Sequence, residues 1–308
     1  MIFSVTILGS GSALPTSKRL PSAHVLNAHE RLFLIDCAEG TQMQLRKLKL
    51  RLSKIGHIFI SHLHGDHTLG LFGLLSTYNL LGRESELHIY AHKELEPILW
   101  TNVDFFVEKL RYKLVFHALN PREKECIYED DKLYVESIPL RHRIPACGFI
   151  FREKECGLNI RKELIEKYEL GLADIASIKN GADMVTPSGE LIPNSELTYR
   201  PFKARSYAYC SDTLYSATVA NYVKDVDLLY HEATFAHDLL DLARQTGHTT
   251  ANQAAIVARD AGVGKLIIGH FSSRYKDVSA LLNEAKRVFP NTFAANDGDT
   301  YSIPRQRL

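Results

Sequence analysis

Residues 61–70 read SHLHGDHTLG and concentrate metal-binding side chains directly after the apolar run IFI. Within six positions the stretch holds His62, His64, Asp66 and His67. Imidazole nitrogen and carboxylate oxygen are ligands that zinc accepts readily. In an extended or looping backbone the first two histidines project to the same side, because side chains two residues apart share a face. They could hold one ion, while the aspartate and the third histidine, just beyond a turn at Gly65, could reach a second.

The spacing H-x-H-x-D-H differs from the helical H-E-x-x-H motif, in which two histidines lie one helical turn apart. Two ions would also need more ligands than this stretch supplies, so other segments of the chain must contribute. The alternative, that these histidines only cap a strand, leaves their density unexplained. The residues therefore predict a metal-dependent site built from several loops.

Short apolar runs that end abruptly in loops with Gly or Asp occur along most of the chain. Such runs predict strands that carry functional groups on the loops after them. They are VTILGSG (5–11), RLFLIDCAEG (31–40), HIFISHLHGD (57–66), ELHIYAH (86–92), YAYCSDT (207–213) and KLIIGHFS (265–272). Helices are predicted at TQMQLRKLKL (41–50), LFGLLSTYNLL (71–81) and TTANQAAIVARDAGV (249–263), the last with Thr249 or Thr250 as N-cap. The pattern indicates a mixed α/β protein in which a sheet-containing half occurs twice.

Residues 152–205 interrupt this alternation. They contain as many acidic as basic residues, with Gly, Pro, Asn and Ser scattered among them, and they lack a core-strand pattern. We interpret them as a partly ordered insertion that stands off the main body, with a short helix around 160–170. The alternative is an ordinary polar helical hairpin packed on the sheet.

The composition of the 308-residue chain is that of an ordinary globular protein, with 45% apolar and 24% charged residues. The net charge of +1 creates no global field that would attract a nucleic acid or a membrane, so any such site must be local. The N-terminus does not resemble a signal peptide, and no apolar window is long enough to span a membrane. Five cysteines without C-x-x-C spacing predict free, buried thiols in a reducing cytoplasm.

Two local features bear on phosphate binding. LRKLKLRLSK (45–54) holds five basic residues and no acid, which suits either a solvated helix face or a surface for a nucleic-acid backbone. The stretch GSGS at 9–12 could present backbone N–H groups to a phosphate, with a plain strand-to-loop turn as the alternative.

The string HLHGDH is the signature of the metallo-β-lactamase superfamily, and within it the chain resembles the ribonuclease Z family. The matching segments follow the family order from end to end: LIDCAEGTQMQ (34–44), ISHLHGDH (60–67), PLRHRIPACGF (139–149), YCSDT (209–213), YHEATF (230–235), GHTT (247–250) and GHFSSRY (269–275). The resemblance implies a single domain over residues 1–308, folded as a four-layer αββα sandwich with metals at one edge of the paired sheets. Residues 152–205 match the place of the family's flexible, tRNA-binding arm, although they lack its usual Gly-Pro motif.

The resemblance also implies metal ligands for two zinc ions. They form two sets of three and one shared residue: His62, His64 and His142; Asp66, His67 and His270; and the bridging Asp212.

Other roles follow from the same resemblance. Asp66 would accept a proton from the attacking water, and His248, oriented by Glu232, would assist departure of the leaving group. Asp36 would hold the metal-bearing loop without touching a metal. Independently of the resemblance, Arg274, four residues after His270, is a candidate for a phosphate contact because a guanidinium can bind phosphate in bidentate fashion, and Thr249 is a second candidate for substrate contact.

The implied activity is that of a zinc-dependent endoribonuclease with two Zn²⁺ per subunit. It would cleave precursor tRNA on the 3′ side of the discriminator base, leaving a 3′-hydroxyl on the tRNA and a 5′-phosphate on the trailer. The family further implies a homodimer in the cytoplasm, without membrane contact. One alternative is another dinuclear zinc hydrolase of this fold, such as a small-molecule phosphodiesterase, lactonase or thioesterase, which should lack HEATF, HTT and the arm. Another is a catalytically inactive scaffold, which would be expected to have lost ligands.

Overall fold

The computed structural model describes residues 1–308 and divides the chain into two compact units. Unit 1 comprises Met1–Arg152 and Ser206–Ile303, and unit 2 comprises Glu153–Arg205 and Pro304–Leu308. Unit 1 contains two seven-stranded sheets, whereas unit 2 contains two small sheets of two strands each.

The first sheet of unit 1 has the strand order β18-β1-β2-β3-β4-β5-β6. Its strands are β1 (Phe3–Gly9), β2 (Ala23–Ala28), β3 (Arg31–Ile35), β4 (Ile55–Phe59), β5 (Leu87–Ala91), β6 (Leu114–Ala118) and β18 (Thr300–Ser302). Strands β3 to β6 run parallel, and β18, β1, β2 and β3 pair antiparallel in turn.

The second sheet has the order β17-β16-β15-β14-β9-β8-β7. Its strands are β7 (Glu125–Glu129), β8 (Leu133–Leu140), β9 (Ala146–Glu153), β14 (Ser206–Cys210), β15 (Leu228–Glu232), β16 (Leu266–Gly269) and β17 (Thr292–Ala294). Strands β14 to β17 run parallel, and β9 pairs antiparallel with β14.

Three hydrophobic clusters separate four layers of secondary structure in unit 1. One lies between the sheets and contains Phe33 and Phe59 of the first sheet and Phe149 of the second. The other two lie outside the sheets, under helices. The predicted apolar runs are continuous because the strands are buried on both faces. In β3, for example, Phe33 faces the cluster between the sheets and Leu34 faces the cluster under the helices. This arrangement confirms the predicted αββα sandwich.

Unit 1 contains seven α-helices. They are α1 (Thr41–Lys47), α2 (Gly65–Leu80), α3 (Leu95–Phe106), α7 (Ala217–Tyr222), α8 (Leu240–Thr246), α9 (Ala251–Asp260) and α10 (Ser279–Val288). All except α8 contribute residues to the two hydrophobic clusters outside the sheets. Thr250 caps α9, with its hydroxyl accepting from the Gln253 N–H, which decides between the two predicted caps.

Two local predictions need correction. Helix α2 begins at Gly65, so Asp66 and His67 lie in its first turn instead of beyond a loop turn, and the His67 N–H donates to the His64 carbonyl. The helix could start this early because His64 has the extended backbone of an N-cap residue. All five cysteines are free, but only Cys37, Cys147 and Cys210 are buried; Cys126, on the edge strand β7, is exposed, and Cys156 in unit 2 is partly exposed.

Unit 2 has a hydrophobic cluster of its own, formed by Ile160, Ile178, Ile192 and Leu197. Its elements are β10 (Asn159–Ile160), α4 (Lys162–Lys167), α5 (Leu172–Lys179), β11 (Met184–Val185), β12 (Leu191–Ile192), α6 (Asn194–Leu197) and β13 (Thr198–Tyr199). A buried ion pair, 2.8 Å between Arg205 Nη2 and Glu153 Oε1, closes its base. Helix α4 lies where a short helix is predicted, while the role of 152–205 as a flexible arm stays a prediction.

No helix in the protein is both long enough and apolar enough to cross a bilayer.

Candidate metal centre and active site

Loops after successive strands carry the predicted ligands. His62 and His64 follow β4, His142 follows β8, Asp212 follows β14 and His270 follows β16. The carboxyl ends of parallel strands lie at the same edge of a sheet, so β14 and β16 deliver their loops to one region.

The structure brings all seven predicted ligands together. Together with His248 they fall into three groups in which the potential ligand atoms lie within 4.8 Å of one another, and the third group shares one residue with each of the others. These groups are His62, His64, His142 and Asp212; Asp66, His67 and His270; and Asp212, His248 and His270.

Asp212 connects the first two groups through its two carboxylate oxygens. Oδ2 lies 3.5 Å from Nε2 of His62 and 3.8 Å from Nε2 of His142. Oδ1 lies 3.5 Å from Nε2 of His67 and 3.1 Å from Nε2 of His270. Each oxygen therefore faces a different set of imidazoles, which is the arrangement needed for a carboxylate shared by two cations.

The donor set fits metal ions. The Nε2 atoms of His67 and His270 are buried and make no hydrogen bond, which is unusual for buried polar atoms. Their Nδ1 atoms are occupied, at 2.8 Å from Asp36 Oδ2 and 2.9 Å from Thr234 Oγ1. A histidine whose outer nitrogen donates to the protein directs the lone pair of the other nitrogen at the cluster, as metal-ligating histidines do.

His142 is held in the same way by backbone. Its Nδ1 lies 2.8 Å from the carbonyl oxygen of Gly247, to which it donates. Gly247 has a φ of 80°, and a Cβ at this position would lie 2.9 Å from that Nδ1. The glycine of the GHTT segment therefore allows the close approach that orients this ligand.

Asp36 fixes the metal-bearing loop from behind. Its Oδ1 accepts from the Ser61 N–H at 2.7 Å, and its Oδ2 accepts from the Ser61 hydroxyl at 2.9 Å and from His67 Nδ1. The residue is fully buried and has a φ of 56°, a conformation that aspartate tolerates better than most residues. The surroundings thus provide the contacts that hold this less favourable backbone.

Burial and charge set the protonation of the cluster. Burial lowers the pKa of His62 and His142, which keeps these imidazoles neutral as metal ligands must be. Burial alone would raise the pKa of Asp212, but the charges of His270 and His67 hold it well below the usual range. Burial would likewise lower the pKa of His67, yet the charges of Asp212 and Asp36 raise it to about 10. A cation bound at His67 therefore has to displace a proton.

His248, a member of the third group, forms a pair with Glu232. His248 Nδ1 lies 3.0 Å from Glu232 Oε1, and Glu232 is fully buried. Burial alone would lower the pKa of His248, but the charge and hydrogen bond of Glu232 raise it to about 9. The imidazole is therefore protonated at neutral pH and able to donate a proton.

The segment after GSGS reaches the centre. The Ala13 N–H donates to Asp66 Oδ2 at 2.7 Å. Within GSGS the N–H groups of Ser10, Gly11 and Ser12 are bonded to Asp297, Leu20 and Phe271, so the stretch is a strand-to-loop turn and not an anion cradle.

Two residues predicted to contact substrate differ in exposure. Arg274 is exposed, with its guanidinium 5.1 Å from the centre of the Phe235 ring, so its head remains available to a phosphate. Thr249 is fully buried, and its hydroxyl donates to the Thr213 carbonyl at 2.5 Å. The structure thus gives Thr249 a packing role, and its contact with substrate stays a prediction.

The sequence reasoning did not assign a role to Thr234 or to Ser61. Thr234 Oγ1 accepts from His270 Nδ1 while donating to Glu232 Oε2 at 2.7 Å, so it links this carboxylate to a ligand. Its position in the HEATF segment was the available signal. For Ser61 the sequence offered a weaker signal, namely its position directly before His62, the first ligand.

Comparisons with known proteins agree with this geometry. The chain is 51% identical over 301 residues to "Ribonuclease Z" of Phocaeicola vulgatus, covering 98% of this chain and 97% of the relative. It is 50% identical to "Ribonuclease Z" of Bacteroides fragilis, with 98% and 99% of the two chains covered. Residues 3–142 also match the family model of the anti-Pycsar protein Apyc1.

Solved structures show the same fold. The crystal structure of human tRNase Z, short form, superposes with a TM-score of 0.71 at 27% identity, covering 98% of this chain and 99% of that one. The metallo-β-lactamase fold protein YhfI from Bacillus subtilis has a TM-score of 0.66 at 19% identity, covering 98% of this chain and 99% of that one. The chain therefore belongs to the ribonuclease Z family, a family of metal-dependent endonucleases with the metallo-β-lactamase fold.

Proposed function

We propose that this protein is a zinc-dependent endoribonuclease that removes the 3′ trailer from precursor tRNA. It cuts on the 3′ side of the discriminator base, leaving a 3′-hydroxyl on the tRNA and a 5′-phosphate on the trailer. The observation that carries the proposal is the position of the Asp212 carboxylate, whose two oxygens each face a separate set of histidines. Relatives that are named "Ribonuclease Z" and are 50–51% identical in sequence support precursor tRNA as the substrate.

The metal centre would hold two Zn²⁺ per subunit. His62, His64 and His142 would hold one ion, Asp66, His67 and His270 would hold the other, and Asp212 would serve both. When bound, the ions lower the pKa of a water molecule and neutralise charge on the phosphate.

Asp66 orients the attacking water and takes its proton. Its carboxylate is placed for this by the bond from Ala13 at Oδ2 and by the neighbouring Nε2 of His270, 3.5 Å from the same oxygen. Burial would raise the pKa of Asp66, but His270 and His67 lower it, so the group is ionised at neutral pH.

His248 donates a proton to the leaving ribose 3′ oxygen. That oxygen is a poor leaving group unless it is protonated, and the pair with Glu232 keeps the imidazole charged and in a single orientation. Glu232 is itself held by the N–H groups of Thr213, Thr249 and Thr234, so it acts as a fixed support and not as a reacting group.

Binding of the RNA backbone falls to exposed cations. Arg46, Lys47, Lys49 and Arg51 are exposed and form no ion pair, so they can attract phosphates of the acceptor stem. Arg274 contacts a phosphate near the cut. Residues 152–205 form an arm that holds the tRNA at a distance from the cut, in a cytoplasmic homodimer.

The decisive experiment is incubation of the zinc-loaded protein with a precursor tRNA that carries a 3′ trailer, followed by mapping of both new ends. A single cut after the discriminator base with a 3′-hydroxyl supports the proposal. Turnover of bis(p-nitrophenyl) phosphate or a lactone without cleavage of the tRNA refutes it, and favours a small-molecule hydrolase of the same fold.

A further inference from the structure

Behind the metal ligands, a tyrosine of the second sheet contacts the aspartate that supports the ligand loop of the first. We infer that Tyr209 is a positioning residue for the metal centre: its hydroxyl holds Asp36, and through Asp36 it sets His67 against the ligands of the opposite sheet. The inference rests on the proposed metal site and adds a residue that none of the ligand groups contains.

The contact is short and buried. Tyr209 lies on β14, Asp36 follows β3, and the hydroxyl donates to Asp36 Oδ2 at 2.6 Å. Both residues have 0% exposed surface. A hydrogen bond to a carboxylate in such buried surroundings is among the stronger ones in proteins, and it cannot be replaced by water without opening the core.

The remaining donors to Asp36 all come from the first sheet side. They are the N–H and hydroxyl of Ser61 and Nδ1 of His67, which belong to the same loop and helix start as the ligands themselves. Tyr209 is the donor from the second sheet. The Tyr209 hydroxyl therefore connects the second sheet to the first by a hydrogen bond, directly behind the point where the ligands of the two sheets meet.

Chain connectivity strengthens this relation. Asp212 lies three residues after Tyr209, on the loop that leaves β14. One strand end thus carries both the shared ligand and the hydroxyl that orients Asp36 behind His67. On this inference, the 3.5 Å separation between His67 Nε2 and Asp212 Oδ1 depends on the position of Asp212 after β14 and on the hydrogen bond from the Tyr209 hydroxyl to Asp36.

Two neighbouring tyrosines provide matched controls. Tyr207 and Tyr230 are as buried as Tyr209, at 0% and 1% exposed. The Tyr207 hydroxyl bonds to His24 Nδ1 at 3.0 Å, and the Tyr230 hydroxyl has no hydrogen-bond partner. The Tyr230 ring stacks on that of Tyr209 with centroids 5.1 Å apart. Neither hydroxyl contacts Asp36.

The test compares Tyr209→Phe with Tyr207→Phe and Tyr230→Phe. Zinc affinity is measured by competition with a chromophoric chelator, and the His67 Nδ1–H proton is followed by NMR in the zinc-loaded proteins. We expect Tyr209→Phe to bind zinc about tenfold more weakly, at the lower end of the range for residues behind metal ligands. Its Nδ1–H signal should shift or exchange faster, while both controls keep the wild-type affinity and signal.

The inference would be overturned if Tyr209→Phe kept the wild-type zinc affinity. It would also be overturned if Tyr207→Phe lost as much affinity as Tyr209→Phe, because general loosening of the core would then be responsible. If Tyr209→Phe does not fold, the wild-type protein still decides, because the Tyr209 hydroxyl proton should be a slowly exchanging downfield resonance. Its absence would refute the contact. Failure of the wild-type protein to bind zinc would refute the proposed function, and the hydroxyl resonance would test the contact in that case too.

Discussion

Nδ1 of His248 lies 3.0 Å from Oε1 of Glu232, and backbone hydrogen bonds fix the orientation of this carboxylate. Besides the imidazole, it accepts from the backbone N–H groups of Thr213 and Thr249 at Oε1 and from that of Thr234 at Oε2. The pair therefore combines a fixed imidazole with a raised pKa that keeps it protonated at neutral pH.

Replacing His248 with Ala should lower kcat for precursor tRNA by about 10²–10⁴, the usual contribution of general acid catalysis, and leave the zinc content unchanged. Steady-state cleavage and metal analysis on one preparation check this. His237→Ala is the control, because His237 contacts Thr250 and not Glu232. A variant that retains both zinc ions and the native rate would remove His248 from the mechanism.

Replacing Asp212 with Ala should reduce bound zinc from two per chain to less than one, because both sets of histidines lose the carboxylate between them. Inductively coupled plasma mass spectrometry after dialysis measures the content. Asp260→Ala, which alters a surface carboxylate paired with Arg259, should keep both ions. Retention of two ions by the Asp212 variant would show that the carboxylate is not shared.

Deleting residues 155–200 should raise the apparent Kd for precursor tRNA by at least tenfold, which corresponds to about 1.4 kcal/mol of binding free energy. Arg152 and Ser206 pair directly across β9 and β14, so a short linker can join the ends without disturbing the sheet. Hydrolysis of bis(p-nitrophenyl) phosphate should stay near the wild-type rate. Equal loss of both activities would mean that the segment belongs to the catalytic core.

Acid should destabilise the metal-free protein through His24. Burial, with a smaller contribution from the charge of His67, lowers the pKa of this imidazole to about 3, while in the unfolded chain it is near 6.5. Below pH 6.5 the unfolded state binds the additional proton, so the free energy of unfolding falls as the pH falls towards 3. Between pH 7.5 and 5 this histidine alone should account for a loss of about 2 kcal/mol.

Urea unfolding at both pH values, with chelator present, measures that loss. In a His24→Asn variant, in which the amide can still reach the Tyr207 hydroxyl, the difference between the two pH values should shrink by the same amount. Equal differences in the variant and the wild type would show that His24 is not the source.

Local patterns were sufficient for much of the secondary structure. The apolar runs before Asp36, His62, Asp212 and His270 are strands, because strands covered on both faces by other layers carry apolar residues continuously. The start of α2 was misplaced because Gly65 is read locally as a turn residue, whereas the backbone of His64 allows the helix to begin there.

The sequence by itself determined the ligand types, the six-residue cluster at 62–67 and the family to which the chain is similar, since these depend on residue identity and spacing alone. Only the tertiary structure decided which distant residues meet. The approach of His142, Asp212 and His270 to that cluster and the contact of Tyr209 with Asp36 depend on how the two sheets stack, whereas the contact of Thr249 with Thr213 depends on neighbouring loops of the second sheet. Contacts between the two sheets join residues that are far apart in the chain and are set by burial of the shared inter-sheet core, and local sequence does not encode that geometry.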